Sequence, residues 1–145
     1  MSRRGPPRIL LDTGPLFALL DRRDGKHGAA TAILEQLEAE DADVACAYPA
    51  ALETHRLMLT RGVGVGQAHV LIADALEVFT PVLPTLADVD AALSALRRYN
   101  DQKITLTDAT VAAMAKRDHR AVLTFDEKGR HFQLMGATVY GQETL

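Results

Sequence analysis

The stretch RILLDTGPLFALL, residues 8–20, sets a short apolar run against an acid and a sharp break. RILLD, residues 8–12, has strand length, and Ile9, Leu10 and Leu11 follow one another without a polar interruption. A continuous apolar run of this kind suits a strand buried on both faces rather than one. Thr13-Gly14-Pro15 ends it, and PLFALL predicts a short helix with proline in its first turn.

The same alternation repeats along the chain. GAATAILEQLEAE carries Ala30, Ile33, Leu34 and Leu37 at helical spacing. DVACAY, residues 43–48, predicts a second strand, and Pro49 opens a helix through AALETHRLMLT. After the connector RGVGVG come a helix, VGQAHVLIADALEVF, and a short extended piece, TPVLP. LADVDAALSALRRY places Leu86, Val89, Leu93 and Leu96 on one helical face. TLTDATVAAMAKRD is a further helix, AVLTF (121–125) an apolar strand, and ATVY (137–140) a candidate last strand. Short apolar strands alternating with helices imply an α/β fold, a mostly parallel sheet with helices on both faces.

At 145 residues and 48% hydrophobic composition, the chain suits one domain with one core. Residues 8–145 are expected to form it, after a flexible tail over 1–7 that ends in Pro6-Pro7. The net charge of −3 and the 5% aromatic content do not suggest a general nucleic-acid binder, and they supply few platforms for stacking bases. Cys46 stands alone in VACAY and reads as a buried core thiol; no paired-cysteine zinc pattern exists. The basic start MSRRGPPR has no apolar signal core, and no apolar run approaches the roughly 18 residues of a membrane span. A cytoplasmic setting is therefore expected. The five histidines form no HxxxH or HExxH pair, which disfavours a zinc hydrolase. GVGVG (62–66) follows a helix rather than a strand and reads as a flexible turn, not a phosphate loop.

The acids carry more information. Ligands of open parallel sheets bind beyond the carboxyl ends of the strands. Asp12 closes RILLD and Asp126 closes AVLTFD. Glu53 lies with Ala50 and Leu57 on what should be a partly buried helix face. Asp108 fits two roles. Thr105-Leu106-Thr107-Asp108 has the form of a capping box, yet Asp108 also begins an apolar stripe with Val111, Ala112 and Ala115. Four converging carboxylates would repel one another unless a cation joined them. Mg²⁺, with Mn²⁺ as its substitute, is the hard ion that takes oxygen ligands and keeps waters for phosphodiester chemistry. Spacing alone places the four acids on the fold without showing that they meet.

LLDTGPLFALLD, ALETHRL, ITLTDA and VLTFDEKGRHF together resemble, in order and over almost the whole chain, the motifs of PIN-domain ribonucleases. Length and architecture look most like the VapC-type toxins. The resemblance implies a Rossmann-like fold and a Mg²⁺-dependent endoribonuclease, the toxin of a type II toxin–antitoxin pair. It implies Asp12, Glu53, Asp108 and Asp126 as metal ligands and catalytic acids, with Thr13 and Thr107 in support. It also implies a homodimer, a cognate antitoxin and an RNA substrate. The antitoxin is expected to set an Arg or Lys near the carboxylates. One departure is the spacer Glu127-Lys128-Gly129-Arg130 before His131-Phe132, longer than the family's usual one. Arg3, Arg4, Arg22, Arg23, Arg56, Arg61, Lys128 and Arg130 are candidates for RNA backbone contact, with Arg56, one turn from Glu53, foremost. Asp101 reads as a solvated loop acid. The competing readings are a PIN-like RNA-binding module without catalysis and a phosphoacceptor signalling domain. The latter expects adjacent acids at the first strand end, where Asp12 stands alone, and Gly14 spoils a DxDxT phosphatase motif.

Overall fold

The computed structural model describes residues 5–125 and 128–141. The elements run β1 (Arg8–Leu11), α1 (Thr13–Leu20), α2 (His27–Ala39), β2 (Asp43–Ala47), α3 (Tyr48–Thr60), α4 (Val65–Val78) and β3 (Thr80–Val82). They continue with α5 (Leu86–Arg98), α6 (Leu106–Arg117), β4 (Ala121–Leu123) and α7 (Lys128–Leu134). The four strands form one all-parallel sheet in the order β3-β2-β1-β4. Leu10 stands opposite Ala45 on one side and Val122 on the other. Among the described residues no helix is long and apolar enough to cross a membrane.

The apolar run of β1 is explained by its central place. Ile9, Leu10 and Leu11 are fully buried and alternate between two helix layers, as the pleat requires. Leu10 joins Ala45, Val111, Met114, Val122 and Phe132. Ile9 and Leu11 join Leu16, Leu37, Cys46 and Leu123. Cys46 is a buried thiol whose pKa burial pushes up to about 12, so it is inert packing rather than a nucleophile.

Three expectations change. First, α5 leaves part of its apolar face outward: Leu86 is 84% exposed and Leu93 41% exposed, while Asp88 and Ala92 are buried and Leu96 packs inward beside them. The cause is Asp88. It closes a capping box with Thr85 and pairs with Arg117 of α6 at 3.0 Å, which turns Asp88, Ala92, Ala95, Leu96 and Tyr99 toward α6. Small residues there, Ala109 and Ala112 of α6, leave room for that approach. Second, ATVY makes a single parallel bridge, Val122 to Val139, rather than a strand. Third, the spacer before His131-Phe132 opens α7, whose Phe132 is fully buried. In the region read as a tail, Pro7 is already tied to the sheet: the Asp43 amide donates to its carbonyl at 2.8 Å.

Leu10 touches both neighbouring strands and the α6 layer, so its cavity cannot easily collapse. Leu10→Ala is expected to lower the unfolding free energy by about 2–5 kcal/mol in urea titrations, and a loss below about 1 kcal/mol would contradict this packing.

Candidate active site

After β1 the chain adds β2 and β3 on one side, then returns to add β4 on the other. The carboxyl ends of β1 and β4 therefore flank the switch point, where parallel sheets open a crevice. Asp12 follows β1 there, and its amide donates to the Leu123 carbonyl of β4 at 3.1 Å.

Asp12 occupies the N-cap position of α1, but its side chain caps nothing. The Thr124 hydroxyl donates to Oδ2 at 2.9 Å. Oδ1 is buried and has no hydrogen-bond partner among the described residues. Burial raises the pKa of this carboxyl, and the nearby Asp108 charge raises it further. The Lys128 ammonium, the Thr13 amide and the Thr124 hydroxyl pull it down without cancelling the effect.

Glu53 reaches the same region from α3. Thr13, buried at the start of α1, donates its hydroxyl to Glu53 Oε1 at 2.6 Å. The threonine thus fixes the glutamate's rotamer. Small or short side chains on α3, Ala50, Ala51 and Thr54, are buried and let that helix lie close to the sheet and α1.

Asp108 divides its two oxygens. Oδ2 accepts from the Thr105 amide at 3.2 Å, and the Asp108 amide donates to Thr105 Oγ1 at 3.0 Å, which completes the capping box of α6. Oδ1 lies 3.2 Å from Lys128 Nζ at the start of α7. Asp108 therefore closes the capping box and at the same time lies buried at the cavity, as its place on the apolar stripe requires. For Lys128, burial is the largest single influence and disfavours its charge, but Asp12, Asp108 and Glu53 together outweigh burial and raise its pKa.

A cavity of about 780 Å³ opens beside these groups, though neither Asp12 nor Glu53 is part of its lining. Thr13, Asp108, Thr124 and Lys128 line it, with Lys26, Arg61 and Lys103 as further cations. Two aromatic rings also reach it: Lys26 lies 5.2 Å from the Phe125 ring and Arg61 lies 5.1 Å from the Phe17 ring. His131 lines it as well, and its Nδ1 is buried without a partner among the described residues. Arg56 is exposed on α3 and is not part of this lining; Arg61, one turn further on, is. Thr107 is half-buried and also lies off the lining, where Thr105 and Thr124 stand instead. Asp101 is exposed. Asp126 lies outside the described residues. Thr124 carried a sequence signal, as a hydroxyl directly after an apolar strand; Lys26 and Lys103 sit in connectors and carried none. A second cavity, of about 500 Å³, opens at the opposite strand ends. Its Arg8 and Arg120 are already paired with Asp43 and Asp118.

Among the described residues, no three carboxylate, imidazole or thiol groups stand close enough to hold an ion by themselves. The chemistry of the donors nevertheless fits a hard divalent cation. They are oxygens, and Asp12 Oδ1 is a buried acceptor without a hydrogen-bond partner among the described residues, which a cation would satisfy.

The family model described as PIN domain matches residues 9–133. Comparison with curated protein sequences finds no match. Among solved structures, VapC20 of Mycobacterium tuberculosis, described as a sarcin–ricin loop cleaving toxin, is similar at 25% identity and a TM-score of 0.72, over 90% of this chain and 96% of that one. VapBC2 from Rickettsia felis, bound to a DNA fragment from its promoter, shares the fold at 16% identity and a TM-score of 0.68, over 91% and 96% of the two chains. FitAcB from Neisseria gonorrhoeae shares it at 23% identity and a TM-score of 0.65, over 94% and 99%.

An acid whose pKa is raised on folding contributes stability only while protonated, below its ordinary value of 3.8, and loses it as pH rises through the folded value. At neutral pH the Asp12 charge is thus a cost to the metal-free fold. Asp12→Asn is expected to raise the melting temperature in EDTA at pH 7, with a gain that shrinks toward pH 4. Equal shifts at both pH values would show that the charge is not what strains the site.

Proposed function

The chain belongs to the PIN-domain family, and from that premise we propose that it is a metal-dependent endoribonuclease, the toxin of a type II toxin–antitoxin pair acting in the cytoplasm. The observation that carries the reading is a pair of buried acids at the sheet's switch point, Asp108 lining a cavity that also holds cations and Asp12 bonded to its Thr124. Acids so placed suit a metal and phosphodiester oxygens; rim cations suit the flanking phosphates.

In this reading Asp12, Glu53 and Asp108 supply oxygen ligands to Mg²⁺ or Mn²⁺, and Asp126 joins them by its place in the family motif. The bound ion supplies Lewis acidity, a water of lowered pKa and charge stabilisation for the leaving oxygen. Thr124 and Thr13 position Asp12 and Glu53 through the two hydroxyl bonds. Lys26, Arg61 and Lys103 hold the RNA backbone, and Phe125, half-buried beside Lys26, offers a face to an unstacked base. The similarity to VapC20 makes a ribosomal RNA loop the first substrate to try. The exposed Leu83, Leu86 and Leu93 at and before α5 offer an apolar face for a homodimer. A cognate antitoxin would block the site by bringing an Arg or Lys to the carboxylates.

Asp108→Asn separates the cap from the chemistry. Asparagine keeps an acceptor for the Thr105 amide, so α6 should lose no more than about 0.5–1 kcal/mol. Single-turnover cleavage of a ribosomal RNA loop oligonucleotide should fall by orders of magnitude in the variant and vanish in EDTA for the wild type. Cleavage that persists in EDTA would sink the metal mechanism. Oligonucleotide bound by the rim but left intact with Mg²⁺ or Mn²⁺ present would favour the non-catalytic module.

A further inference from the structure

We propose that Lys128 is a tethered counter-cation that competes with the divalent ion for this site, holding the carboxylates together until the ion displaces it. The proposal rests on the metal-site reading above and assigns the chain its own control over when the site fills.

Four observations carry it. The Lys128 ammonium lies 3.2 Å from Asp108 Oδ1, the oxygen that the capping box leaves over. It also acts on Asp12 and Glu53, so one cation serves three acids. Its side chain is 41% exposed while that of Asp108 is 2% exposed; the apolar stem can withdraw toward solvent while the acid stays in place. Finally, Lys128 begins α7, where a positive charge opposes the helix dipole, so helix stability does not explain it.

The chain's other buried acids sharpen the point. Asp88 is gripped by the Arg117 Nε at 3.2 and 3.0 Å from its two oxygens. Asp21 is held by Arg23. A guanidinium fork fixes an acid; a lysine is a hydrated point charge that leaves easily. At the buried acids Asp12 and Asp108, by contrast, the partner is the exchangeable kind. Formal charges agree. Three acids with Lys128 leave −2, and the same acids with a divalent ion in its place leave −1, so exchange moves the cluster toward neutrality.

The test measures Mn²⁺ binding without RNA, by calorimetry and by the electron paramagnetic resonance of free Mn²⁺, together with melting in EDTA and in Mn²⁺. Lys128→Met keeps the stem and removes the charge. It should melt below wild type in EDTA, bind Mn²⁺ about fivefold tighter or more, the low end of ordinary coupling between binding events, and gain more stability from the ion. Lys128→Arg should do the reverse, pinning Asp108 and weakening Mn²⁺ binding. Wild-type binding of Mn²⁺ with unchanged or weaker binding in Lys128→Met would overturn the competition and leave the metal site standing. No Mn²⁺ binding by wild type or variant would overturn both. Binding by Lys128→Met alone would be the strongest support.

Discussion

The Asp12 carboxylate is fully buried at the end of the central strand, where an unpaired charge costs several kcal/mol even after the protein relaxes around it. Its surroundings offset only part of that cost: one hydroxyl, one amide and a lysine at a distance. Other buried or partly buried acids in the chain are treated differently. Arg117 holds the pKa of Asp88 down against burial, Arg23 does so for Asp21 and Arg120 for Asp118. Among the described carboxylic acids whose pKa is displaced, Asp12 alone is raised. A fold that supplies arginines to its structural acids and withholds one from Asp12 stores unfavourable energy at the switch point. A cation binding there from outside the chain would release it and so link stability to ligand.

Asp108 and Asp88 show how position decides what one local motif becomes. Thr85-Leu86-Ala87-Asp88 and Thr105-Leu106-Thr107-Asp108 both close capping boxes on the helices they open. Each box uses one carboxylate oxygen for the N-cap amide. At Asp88 both oxygens also meet Arg117, and the acid becomes a rivet between α5 and α6. At Asp108 the second oxygen faces Lys128 at the cavity. The helix start is fixed by the same two bonds in each case, so the site acid is held by local structure at no further entropic cost.

The elements that were legible in the sequence are those set by local pattern. Ile9-Leu10-Leu11 announced a doubly buried strand because a central parallel strand has no solvent face. The Asp108 capping box could be read because its four residues are contiguous. The buried face of α5 could not be read from periodicity. Leu86 and Leu93 outweigh Asp88 on any hydrophobic scale, and only the distant Arg117 makes burying Asp88 acceptable. ATVY has strand composition but pairs through one residue, since Thr138 and Tyr140 bracket Val122 with single bonds. Arg56 was favoured by distance along the helix, whereas the cavity selects Arg61 by direction. Lys128 was visible as a charge in a loop-like spacer; its ion pair spans twenty residues of sequence and depends on α7 forming where no strong periodicity marks it.

Glu53 shows why such a site tolerates a chain with net charge −3 and few aromatics. The acids that would meet a metal come from the end of β1, the middle of α3 and the start of α6, while the cations Lys26, Arg61 and Lys103 come from the surrounding connectors and the end of α3. Overall charge therefore says little about the cavity, where the field is set by separation of signs over a few ångströms. Thr13, which lines the cavity, holds Glu53 by its hydroxyl at 2.6 Å, and Thr13 is itself fixed because it begins the helix that the strand end of Asp12 must enter. One strand terminus thus positions two of the acids, which is why the short run RILLDT holds so much of the site.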